Sequence, residues 1–206
     1  MYAFDKLEGK RIVLLPLRIE HLNPLFEAAI DPQIWELYPT SIRSIEDMQT
    51  FILKAIEGRQ RGDQFPYAVF DKQLDKFVGS TRFLRISEEN NNLNIGSTWY
   101  SPEVWRTRVN TEAKYLMVEH AFESVHVSRV ELITTPENFR SQRAIERLGA
   151  VREGIFRKKY NNRDYIIYSI IDSDWPDVKH RLERYLEDES SSMNGLISER
   201  EITHTD

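Results

Sequence analysis

The stretch Ser101-Pro-Glu-Val-Trp-Arg-Thr-Arg-Val-Asn-Thr-Glu-Ala-Lys114 constrains the fold of this chain more than any other. Ahead of it, Leu93, Ile95 and Trp99 share one face of an alternating run that closes at Tyr100, the pattern of a strand. Behind it, Ala113, Leu116, Met117, His120, Ala121 and Ser124 recur at helical spacing. A strand, a short polar turn and a helix aim the free N–H groups of the helix N-terminus above the sheet. Arg106 and Arg108 flank the same turn, so an anion, most naturally a phosphate, is the expected guest. A solvated turn on a self-capped helix is the alternative this window leaves open.

Around that centre the chain reads as one sheet with helices. Arg11 to Leu17 is a strand that Pro16 either ends or marks as an edge. Glu20 to Ile30 is a short helix with Pro24 in its first turn, where proline is tolerated. Trp35 and Tyr38 fall in the loop that follows, as core plugs or as the lining of a pocket. Ser44-Ile-Glu-Asp47 has the form of a capping box for a helix whose apolar face is Met48, Phe51, Ile52, Ala55 and Ile56. Pro66 to Phe70, Phe77 to Ile86 and Leu93 to Tyr100 are strands joined by polar, turn-rich connectors. Arg129 to Thr134 is a further strand, and Pro136 to Gly149 a helix stopped by its glycine. Val151 to Tyr160 and Asp164 to Asp172 flank Asn161-Asn162-Arg163, residues suited to positive φ in a hairpin. Asp174 is expected to cap a last helix through Leu186, followed by a polar tail over 187–206.

Composition narrows the class. At 206 residues the chain can bury a core without staples, and no internal boundary divides residues 8–186. With 28 basic and 33 acidic residues the net charge is −5, which argues against a dedicated nucleic-acid binder. The absence of cysteine excludes disulfides and a thiolate nucleophile. The five histidines lack metal-ligand spacing, so no metal is expected. No apolar run approaches the roughly 20 residues of a membrane span and no signal-peptide pattern opens the chain, so a cytoplasmic protein is expected.

The order of elements, together with Ile95-Gly-Ser-Thr-Trp-Tyr-Ser-Pro102, Trp105…Asn110-Thr-Glu-Ala-Lys114, His120-Ala-Phe-Glu123 and Glu137-Asn-Phe-Arg-Ser141…Arg147-Leu-Gly149, resembles the GNAT superfamily of acyl-CoA-dependent N-acyltransferases. Within it the chain is similar to the branch containing the ribosomal-protein N-terminal acetyltransferases. The resemblance implies an α/β (α+β) fold: a mixed, mostly antiparallel sheet of about seven strands, splayed between strands four and five. It implies acetyl-CoA as co-substrate and an amine as acceptor, either a protein or peptide N-terminus or a small amine. The cofactor would lie along Trp99, Tyr100 and Ser101, with its pyrophosphate over Trp105, Arg106, Thr107, Arg108, Val109, Asn110 and Thr111. Asn138 would bond the pantetheine arm, and Ser141 would protonate the leaving thiolate, because the tyrosine many members use falls at Ile145 here. Trp35, Tyr38 and Asn94 are expected on the acceptor side. Many members dimerise, and the hairpin at 161–163 or the last helix is the surface a homodimer would use.

Two departures bear on activity. Arg106 and Arg108 stand where the family's turn has glycines, which tolerate unusual φ as arginine is not expected to; arginine adds charge-assisted bonds instead. Asn94 stands where relatives often have a glutamate, and an amide cannot take a proton. Glu88, Glu89 and Glu131 read as ordinary surface or edge carboxylates. A catalytically silent acyl-CoA sensor on the same fold is therefore the competing expectation.

Overall fold

The computed structural model of the protein describes residues 2–187. Eight strands form one mixed sheet: β1 (Leu7–Glu8), β2 (Ile12–Pro16), β3 (Gln64–Asp71), β4 (Lys76–Ser87), β5 (Asn92–Tyr100), β6 (Arg129–Thr134), β7 (Val151–Tyr160) and β8 (Arg163–Ile171). Their spatial order is β1-β2-β3-β4-β5-β6-β8-β7, and every adjacent pair is antiparallel except β5 with β6. The two-residue β1 adds one strand to the seven expected, so the expected splay falls between β5 and β6. Strand β1 covers β2 only at Val13 and Leu14, so Pro16, the last residue of its strand, is paired on its β3 side alone, as a proline at a strand end and open edge can be.

Five helices flank the sheet: α1 (Leu22–Ala28), α2 (Ile45–Arg61), α3 (Val109–Glu119), α4 (Phe139–Leu148) and α5 over residues 175–187. The apolar stripe of α2 and Leu25 of α1 meet Trp35 and Trp99 in a core on one face. Val109, Ala113 and Met117 of α3, with Ile145 of α4 and Trp175 of α5, form the core of the other. Strand β3 serves both, with Tyr67 and Val69 facing one core and Ala68 the other, which explains its unbroken apolar run.

Local chemistry fixes the helix ends. Ser44 Oγ accepts the Asp47 N–H at 3.2 Å while the Asp47 carboxylate accepts the Ser44 N–H at 3.1 Å, completing the expected capping box. The first helix is shorter than its pattern, a single 3₁₀ turn at Ile19–His21 leading into α1. Helix α4 begins at Phe139 rather than Pro136, because the Asn138 side chain accepts the Ser141 N–H at 3.0 Å and sets the start. Beyond α3 the chain continues through one π-helical turn, His120–Ser124. Among the described residues no helix is long and apolar enough to cross a membrane. The tail expected over 187–206 lies, beyond residue 187, outside the described residues.

Three residue pairs hold β5 to β6: Asn92 with Arg129, Leu93 with Val130 and Asn94 with Glu131. Past them β5 stays on β4 as far as Tyr100, while β6 stays on β8 as far as Thr134, so the two strands diverge. Strand β5 also bulges there. Arg82 opposes Gly96 and Ser80 opposes Trp99, leaving Ser97 and Thr98 against Thr81 alone, with Ser97 at φ 48°. At the far edge, β7 is bulged twice against β8 and carries Arg157, Lys158 and Lys159 before the Asn161-Asn162 turn. Both asparagines take positive φ, as their position in the hairpin anticipated.

The closeness of β4 and β5 rests on Gly79. A Cβ there would lie 2.2 Å from the Trp99 carbonyl oxygen, a backbone atom that cannot yield. Gly79→Ala is expected to destabilise the fold by about 2 kcal/mol, as overpacked cores do. Gly154→Ala, where a Cβ meets nothing within 4 Å, is expected to leave the melting temperature unchanged. Thermal denaturation of the pair checks both.

Candidate active site

The diverging strands open into a cleft of about 1100 Å³. The turn after β5 and the first turns of α3 and α4 wall one end, while Tyr38, Phe51 and Lys54 from the α1–α2 side wall the other. Tyr160, Asn161 and Arg163 of the β7–β8 hairpin close over it, with the Arg85 guanidinium 4.7 Å from the Tyr160 ring. Asp47 is the single carboxylate side chain on the described wall, against many arginines and lysines. The cleft is therefore strongly electropositive in a chain of net negative charge.

The β5 bulge is clamped from both faces. On the α2 face the Ser97 hydroxyl hydrogen-bonds the Tyr38 hydroxyl. On the α3 face the Lys114 ammonium donates to Thr98 Oγ1 at 2.7 Å and to Thr81 Oγ1 at 3.0 Å. Lys114 is 6% exposed. Burial, with no acid beside it, pulls its pKa down to about 7.

The turn between β5 and α3 accommodates its arginines unequally. Arg106 is exposed on the cleft wall and takes φ 62°, the left-handed conformation that the sequence reading denied to arginine. The conformation costs about 1 kcal/mol or more for a residue with a Cβ, and it leaves the guanidinium facing the cleft. Arg108 instead turns away, donating to the Leu186 carbonyl and lying 5.1 Å over the Tyr185 ring of α5. Trp105 donates its indole N–H to the Tyr100 carbonyl at 2.9 Å, and the Arg140 guanidinium stacks on its ring at 4.1 Å. That stack joins the segment after β5 to the segment after β6, one from each side of the divide.

Of the residues singled out in the sequence, Tyr38, Asn94, Trp99, Tyr100, Trp105 and Arg106 line the cleft. Thr107, Asn110, Asn138 and Ser141 do so as well. Ser141 and Ile145 stand one turn apart on the inner face of α4, so the hydroxyl lies one turn nearer the helix start than Ile145. Trp35 does not reach the wall. It is 6% exposed, bonds the Ala29 carbonyl at 2.9 Å and packs behind Trp99. Ser101, Arg108, Val109 and Thr111 also lie off the wall, Val109 and Thr111 because their side chains face the interior beneath α3. Asn94 donates to Glu131 at 3.3 Å across the last β5–β6 pair.

Sequence reasoning missed Arg82 and Lys114. The signals were present: Arg82 interrupts the apolar run of β4, and Lys114 on α3 shares the buried stripe of Met117 and, in the π-helical turn beyond, Ala121. Trp99 Nε1, the Tyr100 hydroxyl and Thr135 Oγ1 are buried without hydrogen-bond partners, all on residues lining the cleft. Buried polar groups are rarely left so.

Comparison with known proteins identifies the family. A family model described as an acetyltransferase (GNAT) domain matches residues 11–151. A GCN5-related N-acetyltransferase from Brucella melitensis superposes with a TM-score of 0.83 at 30% identity, over 90% of this chain and 86% of that one. The uncharacterized N-acetyltransferase YnaD of Bacillus subtilis is 25% identical over 171 residues, 81% of this chain and 96% of the relative. RimJ of Mycobacterium smegmatis, solved with CoA-disulfide, shares the fold with a TM-score of 0.76 at 18% identity, over 88% of this chain and 94% of that one.

The desolvated lysine yields a pH test. Between about 7, its pKa in the folded protein, and 10.5, its ordinary value, the unfolded chain binds the proton that the folded chain has released. Stability contributed at Lys114 therefore rises with pH across that window, and below it the full cost of burying the ammonium applies. In urea unfolding, the difference between wild type and Lys114→Met is expected to move in favour of wild type from pH 7 to pH 10. A difference that ignores pH would mean the group titrates as it does in water.

Proposed function

The chain belongs to the GNAT acetyltransferase family, and on that premise we propose that it transfers the acetyl group of acetyl-CoA directly to a primary amine entering from the α2 side of the cleft. The observation that carries this reading is the bulge at Ser97, reached both through the divide between β5 and β6 and from Tyr38 and Asn94. Acetyl-CoA supplies an acyl thioester already activated toward amines. The chain supplies position and charge. The N-terminus of α3 and the Arg106 guanidinium hold phosphate, by aligned N–H groups and by charge-assisted bonds. Thr135 and Asn138 face the amide-bearing arm. A bulge leaves its extra residue outside the ladder, so backbone N–H groups between Ser97 and Tyr100 polarise the thioester carbonyl. Ser141, on the inner face of α4, gives a proton to the departing sulfur.

No carboxylate on the described wall is placed to act as base. The Asp47 carboxylate is occupied by the N–H groups of Arg43 and Ser44, at 2.9 and 3.1 Å. The acceptor proton leaves instead through water beside the Tyr38 and Ser97 hydroxyls. The rate with saturating acetyl-CoA is then expected to climb with pH toward the pKa of the free amine, without an earlier plateau from an enzyme carboxylate.

Titration calorimetry and thiol release with an amine panel test the proposal. Arg106→Gly is expected to weaken acetyl-CoA binding about tenfold, the loss of one charge-assisted hydrogen bond. Arg108→Ala should change it little. Ser141→Ala is expected to lower kcat about 10²-fold, the scale of one proton-transfer group, with the KM for acetyl-CoA unaltered. Binding without thiol release from any amine would reduce the protein to an acyl-CoA sensor.

A further inference from the structure

Arg82 projects from β4 into the α2 side of the cleft and is 7% exposed. Two contacts immobilise its guanidinium: Nη1 donates to Gln64 Oε1 at 3.2 Å, and the plane lies 4.3 Å over the Phe51 ring. The remaining edge, Nε and Nη2, is buried and has no hydrogen-bond partner. Those two N–H groups point the same way and match the spacing of two carboxylate oxygens. A buried cation with most of its donors unsatisfied is costly unless something supplies the opposite charge. Asp47, the single wall carboxylate, is committed to the start of α2.

We propose that this unpaired edge binds a carboxylate on the acceptor, so that the substrate is an amino acid or another short amino carboxylate; the inference rests on the transfer reaction proposed above. Location supports it. Arg82 opposes Gly96, the residue before the bulge at Ser97, and neighbouring strands lie about 5 Å apart. A carboxylate a few bonds from the reacting nitrogen spans that distance. The free N-terminus of a long peptide has its main-chain carboxylate at the remote end. Phe51, Ile42 and Leu84 also line the cleft and offer apolar surface to a side chain.

The chemistry balances without any role for Arg82 in bond changes. The C–N bond forms and the C–S bond breaks, giving an N-acetyl amino acid and free thiol, and the ammonium releases one net proton to water. The acceptor enters as a zwitterion and leaves as an anion. The guanidinium faces the same carboxylate throughout.

The test reads binding rather than turnover. The CoA-saturated protein is titrated with the N-acetyl derivatives of glycine, leucine, phenylalanine and glutamate, each as free acid and as α-carboxamide. At least one acid is expected to bind tenfold or more tightly than its amide. Arg82→Met should abolish that preference and Arg82→Lys restore part of it, both with unchanged affinity for CoA. Equal affinity for acids and amides, a preference that survives Arg82→Met, or no binding of any acid would overturn the carboxylate assignment. Thiol release with other amines would then leave the transferase proposal standing. An intact acid preference without any transfer would fault the transfer and leave Arg82 in place.

Discussion

A parallel pairing only three residues long decides the architecture of this protein. Parallel neighbours need a long crossover, which α3 provides, and the pair is released as soon as the crossover is secured. Each strand keeps its other neighbour, so the divergence leaves the sheet intact on both sides. Helices α3 and α4 both start at the mouth of the opening. The cleft and the two helix starts at its mouth follow from that one short pairing.

The bulge is held by polar contacts from opposite faces rather than by the ladder. A tyrosine hydroxyl grips Ser97 and a buried amine grips Thr98. Local backbone strain persists only where its surroundings over-determine it, and here both neighbours of the distortion are fixed. Arg106 is a second case. Its left-handed backbone is tolerated in a turn whose ends are pinned by Trp105 on Tyr100 and by Arg108 on α5.

Most of the fold was legible in the sequence because apolar periodicity and caps act locally. The Ser44 box, the glycine stops and the Asn161-Asn162 hairpin each declare themselves within a few residues. The short β1 was not legible, since two residues carry no period. The lining of the cleft was legible where it follows the chain, at Trp99, Tyr100, Trp105, Arg106, Thr107 and Asn110 and again at Asn138 and Ser141. It was illegible where it depends on pairing across strands. Arg82 becomes meaningful only once Gly96 lies opposite it, and Lys114 only once Thr81 and Thr98 meet beneath α3. Arg108 failed in the other direction: its partner, Leu186, is 78 residues away.

The bulged, basic edge strand β7 has a consequence for how copies of the molecule meet. An open sheet edge is a template on which another chain's strand can nucleate, the first step toward fibrous aggregation. Here one edge is two residues long, and the other breaks register twice and carries like charges at its outer end. An incoming strand would find neither a continuous row of hydrogen-bonding groups nor a neutral surface. Growth of the sheet by strand addition is therefore disfavoured at both of its ends.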